Sequence, residues 1–201
     1  MSKICCIVAA GPSEIYIPNG AFIIAADAGI KKLEDRGVIP DLIIGDFDSL
    51  GQKPTGENVL TFPIEKDDTD TMLALKEAIK RGFVTVYISG GVGGELDHTV
   101  ANLQALLYAR KNGISAFLTD GITTATVVSD SITFGKENTG RCSVFAFGGE
   151  AKGVTISGLK YEASGITLSP SFPLGVSNCF IGQQSSISVK NGYLLVIYNE
   201  K

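Results

Sequence analysis

The chain has 201 residues, 44% of them hydrophobic and 19% charged, which is length enough for one large domain or two modest ones with a real core. A formal net charge of −4, with no basic stripe, argues against a general affinity for nucleic acid, which depends on clustered Lys and Arg. No stretch reaches the ~18 apolar residues that a membrane span needs, while 24 glycines, above the usual share of about 7%, imply many tight turns and backbone in close approach to a ligand.

The first element is the run Ile4-Cys5-Cys6-Ile7-Val8-Ala9-Ala10-Gly11. It is short, carries the single Lys3 in front and continues directly into domain sequence, so it reads as a buried strand and not as the core of a secretion signal. Further strands are expected at 22–26, 41–45, 84–89 and 114–119, after a first at 4–9. Helical stretches lie between them, near 27–36, 69–81 and 97–111. Ile30 and Leu33 mark the face of the first helix, Met72, Leu75 and Ile79 that of the second, and Val100, Leu103 and Leu107 that of the third. Gly37, Gly82 and Gly113 stand where each helix should stop. Strands alternating with helices predict a mostly parallel α/β sheet of Rossmann-like type.

After about residue 122 the helical period is lost. Thr124–Val128, Ser143–Phe147, Val154–Ile156 and Leu194–Tyr198 are β-rich runs separated by Gly, Asn and Ser, the texture of an antiparallel β-sandwich or small barrel. The expected organisation is therefore an α/β domain over 1–122 and a β domain over 123–201. Cys5, Cys6, Cys142 and Cys179 make no C-x-x-C pair, and His98 is the sole histidine, so no zinc set is present. Buried free thiols in a reducing cytoplasm fit this cysteine usage.

The acidic residues carry the functional signal. Ile23-Ile24-Ala25-Ala26 runs into Asp27, Leu42-Ile43-Ile44-Gly45 into Asp46-Phe47-Asp48-Ser49, and Val84–Ser89 into Gly90-Gly91-Val92-Gly93-Gly94-Glu95-Leu96-Asp97. In a parallel sheet these ends share the carboxyl edge, where open α/β sheets bind ligands. Lys66-Asp67-Asp68-Thr69-Asp70 opens the second helix and folds toward the same edge. So many carboxylates on one rim call for a cation, and oxygen donors suit Mg²⁺ with phosphates. Asp46 and Asp48 share a face only if the backbone between them is extended. Each piece also has a purely structural reading: Asp67, Asp68 and Asp70 favour a helix start, Asp27 and Asp97 suit N-caps, and Asp46–Ser49 before Gly51 suits a turn. The glycine run offers backbone N–H groups to phosphates, although no Gly-Lys-Ser/Thr follows as in a Walker loop.

Taken together, these segments resemble the thiamine pyrophosphokinase family. Pro40-Asp41-Leu42-Ile43-Ile44-Gly45-Asp46-Phe47-Asp48-Ser49 is similar to its signature, and Lys66–Asp70 to its second acidic motif. Gly90–Thr99 is similar to its third, and Gly158-Leu159-Lys160-Tyr161 and Gly175-Val176-Ser177-Asn178 to its C-terminal elements. The resemblance implies a Rossmann-like α/β domain that binds ATP and Mg²⁺, then a β-sandwich that binds thiamine and forms a homodimer with active sites at the subunit interface. It implies that Asp46, Asp48, Asp70 and Asp97 are catalytic, the first three as metal ligands. Asp27, Lys66, Asp67, Thr69, Gly91, Gly94 and His98 fall on the ATP side, and Ser177 and Asn178 on the thiamine side. The sequence departs from the family pattern at Glu95, where Arg is common, at Ala28, where Gly is common, and at Cys179, where an acid is frequent. A Mg-nucleotide transferase acting on another alcohol, or a non-catalytic nucleotide- or thiamine-binding module, remains an alternative reading of the same residues.

Overall fold

The computed structural model describes residues 4–47, 54–63 and 67–199, which divide into two compact units meeting at Gly121 and Ile122. The first unit holds β1 (Ile4–Val8), β2 (Phe22–Ala26), α1 (Gly29–Glu34), β3 (Leu42–Gly45), β4 (Val59–Thr61), α2 (Asp70–Lys80), β5 (Thr85–Ser89), α3 (Leu96–Lys111) and β6 (Ser115–Thr119). Its strands run in the order β6-β5-β1-β2-β3-β4, and every pairing is parallel. Cys5–Val8, Ile24–Ala26 and Leu42–Gly45 are buried without alternation, as expected of strands covered on both faces.

All three helices end in the same way. Gly37, Gly82 and Gly113 have φ of 65°, 80° and 77°, and the residue after each donates to a carbonyl five positions back: Val38 to Leu33, Phe83 to Ala78, Ile114 to Ala109. This is the Schellman arrangement, in which a left-handed glycine lets the last carbonyls find donors. Each closure turns the chain directly toward the next strand.

The buried faces of the helices differ from the expected stripes. In α3 the residues against the sheet are Asn102, Ala105, Leu106 and Ala109, whereas Val100 is 46% exposed. In α2 they are Thr71, Ala74, Leu75 and Ala78, with Met72 and Ile79 only half-buried. Short side chains let a helix lie close to the sheet, and the longer ones splay to its flanks. Only Leu75 from the α2 stripe and Leu33 from the α1 stripe are fully buried.

The second unit contains β7 (Thr123–Val128), β8 (Ser131–Phe134), β9 (Arg141–Ala146), β10 (Ala151–Ser157), β11 (Ala163–Leu168), β12 (Gly175–Cys179), β13 (Ser185–Ser188) and β14 (Leu194–Asn199). They form two antiparallel layers, β12-β9-β14-β7 and β11-β10-β13-β8. Inward residues of both layers, among them Val144, Val196 and Leu194 from one and Val154, Ile156 and Ile187 from the other, make a single core. Phe134 anchors it, with ring centroids 5.1 Å from Phe180 and 4.9 Å from Tyr198. A sandwich is therefore the outcome.

Candidate active site

In the first unit the chain proceeds from β1 outward through β2, β3 and β4, then returns to the other side of β1 with β5 and β6. The β1/β5 junction is thus the point where strand order reverses, and a crevice opens beyond the carboxyl ends there. The loops leaving these two strands touch backbone to backbone. A Cβ on Gly11 would stand 2.6 Å from the Gly90 carbonyl oxygen, and one on Gly90 would stand 2.6 Å from that of Ala9. Only glycine permits this approach.

Beside this junction lies a cleft of about 380 Å³. Its walls come from Ala9–Pro12 after β1, Ala26 and Asp27 at the end of β2, Thr69–Thr71 at the start of α2, and Gly91, Gly93, Gly94, Glu95, His98 and Asn102 around the start of α3. Four segments far apart in sequence thus meet in one place. Asp27, Thr69, Gly91, Gly94 and His98, expected on the nucleotide side, line this cleft together with Asp70, expected as a metal ligand.

Asp27 adopts a left-handed φ of 47°, one that Asp tolerates better than most residues, and its N–H donates to the Ile44 carbonyl at 2.7 Å. The residue is held at the end of β2 and does not cap α1; that position belongs to Ala28. Asp46 follows β3 and is 8% exposed; among the described residues it stands outside the cleft lining. Phe47 has a φ of 61°, so the backbone does not remain extended after Asp46. Asp48 and Lys66 lie outside the described residues.

Thr69 is the N-cap of α2, its hydroxyl accepting from the Met72 N–H at 3.2 Å. Asp70 therefore sits in the first turn, where the helix dipole favours a negative group. Asp67 is exposed, and Asp68 accepts from Lys76 Nζ at 2.6 and 2.8 Å. That hydrogen bond to Asp68 holds the Lys76 ammonium above its ordinary range.

Asp97 does not cap α3, since Glu95 occupies the N-cap without a side-chain bond. Asp97 is exposed in the first turn and its carboxylate accepts from the His98 N–H at 2.8 Å. Glu95, in the position where the family commonly has Arg, has its carboxylate 3.4 Å from His98 Nε2, both at the solvent rim. Its charge is thus aimed at the imidazole.

Asn102 and Ser13 were not singled out by sequence. Asn102 is 6% exposed, on the same α3 face as Ala105 and Ala109, and its Nδ2 donates to the Gly91 carbonyl at 2.8 Å. A lone amide within an otherwise apolar helix face was the available signal, because a buried amide needs a partner. Ser13 Oγ accepts from the Val92 N–H at 3.3 Å.

The remaining two site residues belong to the second unit. Ser177 is exposed with a φ of 60°, its N–H donating to Ser143 Oγ at 3.0 Å. Asn178 is 4% exposed; its Oδ1 accepts from the N–H groups of Tyr161 and Cys179, both at 2.9 Å, and its Nδ2 donates to the Tyr161 carbonyl at 2.6 Å. Asn178 also borders a hollow of about 520 Å³ with Tyr161, Ile166, Leu174 and Val176.

The donor chemistry of the first unit fits magnesium. Its edge offers carboxylate oxygens from Asp27, Asp46 and Asp70, hard ligands of the kind this ion takes alongside phosphates. The thiols of Cys5 and Cys6 lie in the strand beneath, and burial pushes both well above the usual range, Cys6 to about 12.

A parallel sheet with an acidic ligand cleft at its switch point, followed in the chain by an antiparallel sandwich, defines the class: a two-unit α/β plus β protein with its polar centre on the α/β part. Residues 14–118 match the family model for the thiamin pyrophosphokinase catalytic domain, and residues 131–194 match that for the thiamin pyrophosphokinase vitamin B1 binding domain. The chain belongs to the thiamine pyrophosphokinase family. It is 28% identical to the thiamine pyrophosphokinase of Bacillus subtilis over 205 residues, covering 95% of this chain and 96% of that one. The crystal structure of a B. subtilis thiamine pyrophosphokinase superposes with a TM-score of 0.86 over 98% of this chain and 99% of the other at 28% identity. That of an Enterococcus faecalis family protein gives 0.83 at 27% identity, over 100% of both chains. The Candida albicans enzyme, at 16% identity, shares the fold with a TM-score of 0.78 over 98% of this chain and 90% of that one.

Proposed function

We propose that the cleft at the carboxyl edge is the catalytic centre of an ATP:thiamine diphosphotransferase. The chain transfers the diphosphate of ATP to the hydroxyl of thiamine, giving thiamine diphosphate and AMP. The observation that carries this reading is the convergence of Asp27, Asp70 and the Gly91–Gly94 loop on one cleft at the switch point, in a chain that matches both family domains.

Asp46, Asp48 and Asp70 would hold Mg²⁺, which when bound neutralises charge on the phosphoryl oxygens. Asp27, Asp67, Thr69, Gly91, Gly94 and His98 form the nucleotide side, and Lys66 offsets phosphate charge. The thiamine hydroxyl oxygen bonds to the β-phosphorus, the bond from that phosphorus to the α–β bridging oxygen breaks, and AMP leaves with the electron pair. The hydroxyl proton passes to a carboxylate. Of the two candidates, Asp70 lines the cleft, while Asp97 faces solvent and binds the His98 N–H; Asp70 is accordingly our choice. Holding the reactants in line supplies much of the acceleration.

Ser177 and Asn178 serve thiamine differently. The Asn178 amide is occupied by three backbone groups and shapes the segment around Tyr161, leaving the exposed Ser177 for direct contact. We assign the β-sandwich to thiamine binding and to dimerisation, with each active site completed by a second copy. The support is an apolar edge where β11 and β12 end their layers: Tyr161, Phe172, Leu174 and Val176 are 60%, 65%, 59% and 52% exposed there. No helix among the described residues is long and apolar enough to cross a membrane. We place the reaction in a reducing cytoplasm, in keeping with four free thiols, three of them buried.

Incubation of the protein with ATP, Mg²⁺ and thiamine should yield AMP and thiamine diphosphate in equal amounts, with loss of both on adding a chelator. Failure to form AMP would overturn the catalytic reading. AMP formed only with a different alcohol would overturn thiamine as acceptor.

A further inference from the structure

A single peptide group in the glycine loop is gripped from both ends. The Gly91 carbonyl accepts from Asn102 Nδ2 at 2.8 Å, and the N–H of the same peptide, on Val92, donates to Ser13 Oγ at 3.3 Å. The two gripping residues come from different elements: Asn102 is buried on α3, and Ser13 lies in the segment joining β1 to β2. That joining segment is itself anchored at three points. Lys32 Nζ donates to the Ser13 carbonyl at 2.6 Å, Arg36 to that of Ile15 at 2.9 Å, and the Tyr16 N–H donates to the fully buried Ser89 at 2.6 Å. Desolvation draws the Lys32 ammonium below its usual range.

We infer that Asn102 and Ser13 are positioning residues, clamping the Gly91–Val92 peptide so that the loop is already shaped for nucleotide phosphates before they arrive. The proposal rests on the nucleotide occupying this cleft. A peptide has one free rotation between its neighbours, and a donor on the oxygen side with an acceptor on the nitrogen side fixes it. Gly93 and Gly94 follow directly, with φ of 81° and 70°, and both line the cleft. Successive N–H groups in such turns form concave anion sites, whose aim is set by the peptide that leads into them. Rotation at Gly91–Val92 would redirect that aim. The packing leaves no slack on the inner side, since a Cβ at Gly91 would meet Asn102 Nδ2 at 2.9 Å and Leu118 Cδ1 at 3.0 Å.

The clamp acts on nucleotide affinity and leaves thiamine alone. In Asn102→Asp the side-chain shape is kept while the donor is replaced by a carboxylate that repels the Gly91 oxygen. The Kd for Mg-ATP, by calorimetry, should rise about tenfold or more, and Ser13→Ala should raise it roughly threefold. Ser13→Thr, which retains the hydroxyl, should restore affinity to within about twofold of the parent. Because both residues act on one peptide, the double variant should lose less than the product of the single effects. KM for thiamine should stay within about twofold throughout.

Unchanged Mg-ATP affinity in Ser13→Ala and in a folded Asn102→Asp would overturn the inference, as would a parallel rise in KM for thiamine or multiplicative single effects. Should Asn102→Asp fail to fold, the Ser13 pair decides alone. Amide exchange at Val92 and Gly93 in the nucleotide-free protein separates this inference from the proposed function. It should quicken in Ser13→Ala, and no quickening would refute the clamp. Failure of the parent protein to bind Mg-ATP at all would instead refute the reading on which the inference rests.

Discussion

Gly29→Ala is the substitution whose sign the structure decides. Gly29 opens α1 and lies against the carboxyl end of β1. By helix propensity alone, replacing it with Ala would stabilise the protein by up to ~1 kcal/mol. The space is not there, however. A Cβ would overlap the Val8 carbonyl oxygen and stand 2.8 Å from the Val8 carbonyl carbon and 3.2 Å from that of Ala9. These are backbone atoms of a central strand, paired on one side with β2 and on the other with β5, and they cannot rotate away as a side chain would. α1 must back off the sheet, carrying Ala28 and Asp27 with it. Overpacking of a fixed core costs about 1–3 kcal/mol, and a collision with main chain belongs at the upper end. Net of the propensity gain, the variant should be destabilised by about 2 kcal/mol. In urea, with a slope of roughly 1–3 kcal/mol per molar, this lowers the midpoint by about 1 M. Circular dichroism in the helical band follows the first unit, since the three helices among the described residues lie there. Because Asp27 moves with the helix, the KM for Mg-ATP should also rise. A midpoint at or above the parent's would refute the argument from close approach.

Other perturbations address the site and the second unit. Asp70→Asn should lower turnover by about 100-fold or more, since the carboxylate assigned to Mg²⁺ and to the hydroxyl proton is removed, while the urea midpoint falls by at most about 0.5 M, the first-turn charge of α2 being lost and its Thr69 cap kept; parent-like turnover would remove Asp70 from the chemistry. Asn178→Ala leaves the part-buried backbone groups of Tyr161 and Cys179 without these bonds and should destabilise the sandwich by about 1–3 kcal/mol. A thermal melt matching the parent's, with only KM for thiamine altered, would contradict the structural role of this amide. Burial pushes the thiols of Cys6 and Cys142 up to about 12 and Cys5 higher still, so at pH 8 all three remain protonated and shielded. A disulfide reagent at that pH should titrate Cys179 alone in the folded protein and four thiols in denaturant, and rapid reaction of two or more before unfolding would refute the buried placement.

Much of the first unit could be read from the sequence because strand burial and chain termination are both local signals. Runs such as Ile4–Val8 and Leu42–Gly45 are apolar without alternation, and the glycines at 37, 82 and 113 stop their helices. The placement of Asp27 at the cleft followed from a strand end in a parallel sheet, and that of Asp70 from an acidic helix start turned toward the same edge. What escaped depends on depth and on distant partners. The α3 stripe Val100, Leu103, Leu107 has the right period but the wrong face, because a helix close to a sheet buries its alanines. β4 is three residues long and carries little pattern. Capping at Asp97 and Asp27 failed by a residue or two, which is enough to rotate a side chain off the helix end. The clamp joins Ser13 to a peptide 79 positions away, and no window along the chain brings such residues together. The family resemblance alone places Asn178 on the thiamine side; that its amide is also held by Tyr161 and Cys179 depends on a partner 17 positions away, which a motif does not show.

The central claim, that this cleft moves a diphosphate and not a single phosphate, is tested most directly by following isotope. ATP labelled separately at the β- and γ-phosphorus is incubated with the protein, Mg²⁺ and thiamine, and the products are separated. Both labels should appear together in thiamine diphosphate, with unlabelled AMP released in equal amount, and Asp70→Asn should suppress both. Transfer of the γ-label alone with release of β-labelled ADP, or transfer undiminished by Asp70→Asn, would contradict the account.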